Sequence, residues 1–178
     1  IQGRKTMDIK VLLLLPAILL VSMPFSIPLS QAATIGVSAT LLPACEAGTT
    51  TSGSTSFGTL NFGNYASLTS AINATSAQLA GSIRVKCVNG LAYKIVMDGG
   101  SSGVVTARRM VNTTNSAVSL QYNLYTTAAR TTVWDNTTGV SNTGNGADQW
   151  ATVYGRVPAQ STPAAGVYQD TVNVTVSW

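Results

Sequence analysis

The sequence contains no histidine. A histidine-based nucleophilic triad is therefore impossible. Cysteine occurs only at Cys45 and Cys87, with no CxxC pair. With so few soft ligands, a metal site built on these thiols is a poor reading. Charge is also scarce. Charged residues make up 9% of the chain, and the formal net charge is +4. Beyond residue 32 there are seven basic and five acidic side chains, and Arg108-Arg109 is the only basic doublet. So weak a positive field does not make a nucleic-acid surface. Long apolar runs are missing as well. The longest stretch, VLLLLPAILLV, covers eleven residues from Val11 to Val21, whereas a membrane span needs about 20.

That stretch has a different use. Lys10 precedes it, Pro16, Pro24 and Pro28 interrupt it and its sequel, and Ser30-Gln31-Ala32 closes it. A basic start, an apolar centre and small residues at the last and third-last places describe a secretory signal peptide over residues 1–32. Its removal leaves 146 residues, enough for one domain with a sizeable core. Export makes a Cys45–Cys87 disulfide the leading reading, with two buried thiols as the alternative.

What is abundant is period-two alternation. ATIGVSATLL (33–42) sets Ile35, Val37, Ala39 and Leu41 against Thr34, Gly36, Ser38 and Thr40. FGTLNFGNY (57–65) reads as a strand with Leu60 and Phe62 facing the core. SLTSAINATSAQLAG (67–81) allows a short helix, but the sheet context favours strand and loop. SIRVKCV alternates Ile83, Val85 and Cys87 with Arg84 and Lys86. Asn89-Gly90 then marks a turn into LAYKIVMDGG. The two runs read as a hairpin, or as a turn that carries the chain to another sheet. VTARRMVN, VSLQYNLYTT, TTVWDN and WATVYGRVP continue the series, and residues 139–148 read as a turn-rich loop. The last run places Val172, Val174, Val176 and Trp178 on one face and Thr171, Asn173, Thr175 and Ser177 on the other. Many short strands with polar turns indicate a β-sandwich.

Candidate chemistry is thin. Asp135, Asp148 and Asp170 are the carboxylates available for a catalytic pair, yet each stands beside turn residues, where capping is their natural role. Asp98-Gly99-Gly100 reads as a turn, since no helix follows to complete a phosphate cradle. Calcium held by loop carboxylates has no spaced acidic motif behind it. Four Asn-x-Thr triplets, at Asn73, Asn112, Asn136 and Asn173, matter only in a host that glycosylates them.

Five stretches carry a family likeness. They are FGTLNFGNY, GSIRVKCVNGLAYKIVMDGG, RRMVN, LQYNLYTTAARTTVWDN and TVYGRVPAQSTPAAGVYQDTVNVTVSW. The chain resembles the spore coat protein U domain family, which includes subunits of archaic (Csu-type) chaperone–usher pili. The resemblance implies an all-β, incomplete immunoglobulin-like sandwich completed by donor-strand complementation, and it pairs Cys45 with Cys87. It points to residues 33–44 as the N-terminal donor segment, with Ile35, Val37, Ala39 and Leu41 as the plug; the alternative is that residues 33–42 form an ordinary first strand of their own domain. Residues 45–178 are then the pilin domain, with Val172, Val174, Val176 and Trp178 lining the acceptor groove. The implied partners are a periplasmic chaperone, an outer-membrane usher and neighbouring subunits, in the periplasm first and then in an extracellular pilus that supports adhesion and biofilm formation. No nucleic acid, cofactor, catalytic residue or metal is implied. A spore coat structural protein is the alternative, and a secreted β-sandwich hydrolase or carbohydrate-binding module is a more distant one.

Overall fold

Among the residues described by the computed structural model (38–40, 44–51 and 54–178), every regular element except one is a strand. The chain divides into two units, Ile1–Ala39 and Thr40–Trp178, and the architecture below is that of the second. In chain order the strands are β1 (Cys45–Ala47), β2 (Thr49–Thr51), β3 (Ser54–Ser56), β4 (Ile72–Thr75), β5 (Ile83–Cys87), β6 (Ala92–Met97), β7 (Arg109–Asn112), β8 (Ser119–Gln121), β9 (Asn123–Tyr125), β10 (Val140–Thr143), β11 (Gln149–Ala151), β12 (Tyr154–Val157), β13 (Tyr168–Gln169) and β14 (Val174–Ser177). The exception is a single 3-10 turn, Gly100–Ser102. The strands form small antiparallel sheets in the orders β1-β5-β11, β10-β6-β14, β4-β12-β9 and β13-β7-β8, with β2-β3 as a hairpin.

The alternation read from sequence sets the core. Ile83, Val85 and Cys87 of β5 are buried, as are Tyr93, Ile95 and Met97 of β6. Trp134 is buried with them, and its indole N–H donates to the Ile95 carbonyl at 3.0 Å. An indole needs such a partner when its apolar body is removed from water.

Four local readings are corrected. First, β5 and β6 do not form a hairpin; the Asn89-Gly90 turn carries the chain from one sheet to another. The cause is the segment 140–151, whose β10 pairs with β6 and whose β11 pairs with β5. It occupies the edges a hairpin would have used. It crosses at Gly144, where a Cβ would stand 2.5 Å from the Val88 carbonyl and 2.7 Å from Cys87 Cβ. Second, the same finding places a strand, β10, inside the region read as loop.

Third, residues 57–65 form no strand. Side chains take amide protons there: Gly58 N–H donates to Ser56 Oγ and Gly63 N–H to Asn61 Oδ1. Leu60 and Phe62 pack on the core as expected, and so does Phe57. Leu60 and Phe62 lie over Gly155 of β12, where a Cβ would meet Phe62 at 2.6 Å and Leu60 at 2.8 Å. Fourth, three runs read as continuous are each broken between sheets. VSLQYNLYTT splits at Tyr122, whose N–H donates to the Arg108 carbonyl. WATVYGRVP splits near Val153, whose N–H and C=O both bond Ser76. The last run pairs first with β7 through β13, then with β6 through β14. Residues 67–81 hold strand β4 and turns, with no helix.

Candidate functional site

The carboxylates serve local structure. Asp135 accepts the amide protons of Thr137, Thr138 and Gly139, and these bonds hold its carboxyl below the ordinary range. Asp148 pairs with Arg84 at 2.6 Å, and that bond lowers its pKa. Asp170 accepts the Tyr122 hydroxyl at 2.7 Å and the Ser101 amide at 2.9 Å, with the Ser101 hydroxyl beside them. Burial pushes the Tyr122 phenol well above its usual pKa, so it donates here as a neutral group. Each carboxylate is thus a turn or strand anchor. Among the described residues, no three acidic or cysteine side chains gather as a metal site.

The sheet edge is a different kind of site. β14 pairs antiparallel with β6 in the register Val174↔Met97, Thr175↔Val96, Val176↔Ile95 and Ser177↔Lys94. Among the described residues, no strand pairs with its other side. Val172, Val174 and Val176 are half-buried and packed on the core, while Thr171, Asn173, Thr175 and Ser177 are exposed. Trp178 is 58% exposed. The sequence therefore assigned the faces of this strand correctly up to Val176, but the indole beyond it has most of its surface in water.

Backbone direction follows from one pair. Asp98 N–H donates to the Asn173 carbonyl at 3.1 Å, and Asn173 N–H donates to Asp98 Oδ1 at 2.9 Å. Both main-chain groups of Asn173 thus face β6. Neighbouring residues of a strand alternate in this respect. Thr175 and Ser177 also face β6, and Val174 and Val176 turn their own N–H and C=O to the open edge. Polar main-chain groups and a half-covered apolar row occur together there. That combination is a template for an added strand.

Asp98 holds the edge from behind. Its carboxylate also accepts the Asn173 side-chain amide at 2.7 Å and the Gly100 amide at 2.9 Å. Burial opposes its ionisation, but these hydrogen bonds outweigh burial and keep its pKa low. The Asp98 carbonyl in turn accepts Arg108 Nε at 2.8 Å and Nη2 at 2.6 Å. Arg108 is fully buried, and it also donates to the Trp134 carbonyl, Asn123 Oδ1 and the Val105 carbonyl. Burial lowers its pKa, the effect expected for a cation without a close counter-ion. The doublet had concealed this residue. Period two in RRMVN puts Arg108, Met110 and Asn112 on one face, and that pattern was the available signal.

Cys45 and Cys87 are joined by a disulfide, directly opposite each other on β1 and β5. Of the donor candidates, Ile35, Val37 and Leu41 lie outside the described residues, and so does the signal segment 1–32. Ala39 is exposed and belongs to no strand.

The Spore Coat Protein U domain matches residues 31–175. Protein U of Myxococcus xanthus is 34% identical over 145 residues, spanning 76% of this chain and 78% of that protein. A crystal structure of the CsuC-CsuE chaperone-tip adhesion subunit pre-assembly complex, from archaic chaperone-usher Csu pili of Acinetobacter baumannii, is similar at a TM-score of 0.48 and 22% identity. That match covers 78% of this chain and only 40% of that one.

Proposed function

Because the chain belongs to the spore coat protein U domain family, we propose that it is a structural subunit of a surface fibre, assembled by donor-strand exchange. In this reading residues 45–178 are an incomplete immunoglobulin-like sandwich, and residues 33–44 of the next subunit complete it. The observation that carries the proposal is the open side of β14, where Val174 and Val176 offer both main-chain groups beside an apolar row. An arriving strand supplies hydrogen bonds through its backbone and fills the row with alternate side chains. Ile35, Val37, Ala39 and Leu41 have that spacing. Donation of this kind is head to tail and does not close on itself, so its product is a filament.

The remaining roles are those the family resemblance implies. An uncovered edge invites aggregation, so a periplasmic chaperone holds it until an outer-membrane usher hands the subunit to its neighbour. Export by residues 1–32 brings the chain to the periplasm, and the finished fibre serves adhesion and biofilm formation. The function is mechanical and not enzymatic.

The test is deletion of residues 33–42. The shortened chain is expected to fold and to accept a donor, yet to form no fibres alone. Val37→Asp in the full chain is expected to act the same way, because a buried unpaired carboxylate is costly. Electron microscopy and sedimentation across a concentration series read the outcome. Normal fibres from the deletion variant would overturn the donor assignment. The family's own description favours a second reading, a spore coat building block. Sheet-like coat material in place of filaments would support it.

A further inference from the structure

The apolar and polar rows of the last strand pose a register problem. A slip of β14 by one residue along β6 turns every valine to water and is excluded on that ground. A slip by two is almost silent. It exchanges Val172, Val174 and Val176 for one another on the inner face, and Thr171, Asn173, Thr175 and Ser177 for one another on the outer face. Only one direction of slip is open. Pulling the strand so that Val172 faces Met97 would drag Asp170 off Ser101 and Tyr122. Pushing it so that Val176 faces Met97 leaves that anchor in place, with the slack taken up between Asp170 and Val174. That slipped frame sets Trp178 opposite Ile95, in the half-buried place Val176 now holds. Hydrophobicity alone therefore favours the wrong frame, because Trp178 has most of its surface in water in the observed one.

We propose that the Asp98–Asn173 pair is the register lock of this edge. Asn173 is the only amide in a row otherwise made of Thr and Ser. It meets Asp98 through three hydrogen bonds, two to the carboxylate and one between main chains. Asp98 is itself fixed by Arg108, whose Nε and Nη2 hold its carbonyl from inside the core. In the slipped frame Thr175 would face Asp98 and the side-chain amide would have no carboxylate. Asn173 is thus a positioning residue: it selects where along β6 the open-side main-chain groups of Val174 and Val176 stand. For a strand partner, which rests on the donor-strand reading above, a slip would move the reading frame by two residues.

The experiment is nuclear magnetic resonance on the full chain and two variants. Met97 and Val174 form a pair without mutual hydrogen bonds, by the alternation derived above, so their α-protons lie close. The parent is expected to show a Val174–Met97 α-proton cross-peak alone. Asn173→Thr offers Asp98 a threonine in either frame and is expected to show both Val174–Met97 and Val176–Met97 peaks. Asn173→Thr combined with Thr175→Asn moves the amide by two residues. It is expected to shift the ratio of the two peaks toward Val176–Met97 by roughly tenfold or more, the effect of one charge-assisted hydrogen bond. A Val174–Met97 peak alone in both variants overturns the proposal. Loss of both peaks, with the Trp134 indole proton still shifted by its bond to Ile95, also overturns it; the pair would then be attaching the strand without choosing its frame. A peptide of residues 33–44 that fails to bind the parent, with the peaks as expected, counts against the donor-strand reading and leaves the lock standing.

Discussion

Arg108→Leu is expected to lower the stability of the domain by about 3–5 kcal/mol. Replacing a whole buried ionic group by apolar side chains is often harmless, because every partner leaves together. Here the partners are main-chain carbonyls of Asp98, Trp134 and Val105 and the Asn123 side chain. They stay when the guanidinium goes, the Trp134 and Asn123 acceptors buried and those of Asp98 and Val105 partly so. A leucine gives them nothing to accept from. Arg108→Lys is expected to recover only part of the loss, since an ammonium is a point and cannot span acceptors on three segments. Arg109→Ala is the control. Its side chain is on the exposed face of β7, and its replacement should remain within about 0.5 kcal/mol. Urea denaturation followed by tryptophan fluorescence measures all three. An Arg108→Leu variant within about 1 kcal/mol of the parent would show that water or rearrangement satisfies those carbonyls.

Loss of the Cys45–Cys87 bridge is the second large effect. The two residues are 42 apart in sequence and face each other across β1 and β5. Releasing a loop of that length gives the unfolded chain about 4 kcal/mol of added conformational freedom. β1 has only three residues. Beyond its short ladder with β5 and the bond from Val88 N–H to the Ala44 carbonyl, its ties are to Arg84: Gly48 N–H donates to the Arg84 carbonyl, Arg84 Nη1 donates to the Gly48 carbonyl, and Glu46 lies 3.9 Å from Nη2. Exposed ion pairs of this kind contribute little. The double variant Cys45→Ala/Cys87→Ala should therefore melt like the reduced parent, with both about 4 kcal/mol below the oxidised protein. Denaturation with and without a reductant provides the comparison. A change of under about 1 kcal/mol would mean that the reduced, unfolded chain already keeps these strands close.

The legible parts of this molecule are those governed by alternation. Ile83 to Cys87, Tyr93 to Met97 and Val172 to Val176 have the faces that period two assigns them. Pairing was less legible, because alternation names the buried face of a strand and not its neighbour. The Asn89-Gly90 turn looked like a hairpin locally. Only the crossing at Gly144, close against Val88 and Cys87, shows how the segment 140–151 reaches both edges, β10 on β6 and β11 on β5. Residues 57–65 misled for a different reason. Their apolar spacing is strand-like, but Ser56 and Asn61 take amide protons that a ladder needs. The edge of β14 could be proposed from its valines. The Asp98–Asn173 contact joins residues 75 apart in sequence and could not. Arg108 was hidden because a basic doublet looks like surface, while the period of the strand around it places one arginine inside.

Amide exchange on the open side of β14 tests the central claim most directly. The measurement uses the chain lacking residues 33–42, with and without a peptide of residues 33–44. Before addition, Val174 and Val176 amides should exchange rapidly, since they point to the unpaired side, while Thr175 and Ser177 are held by β6. Saturating peptide should protect Val174 and Val176 strongly and change Thr175 and Ser177 little. This every-other-residue pattern is the signature of a strand added in plane. Peptide that binds without protecting Val174 and Val176, or that does not bind at all, would contradict the account.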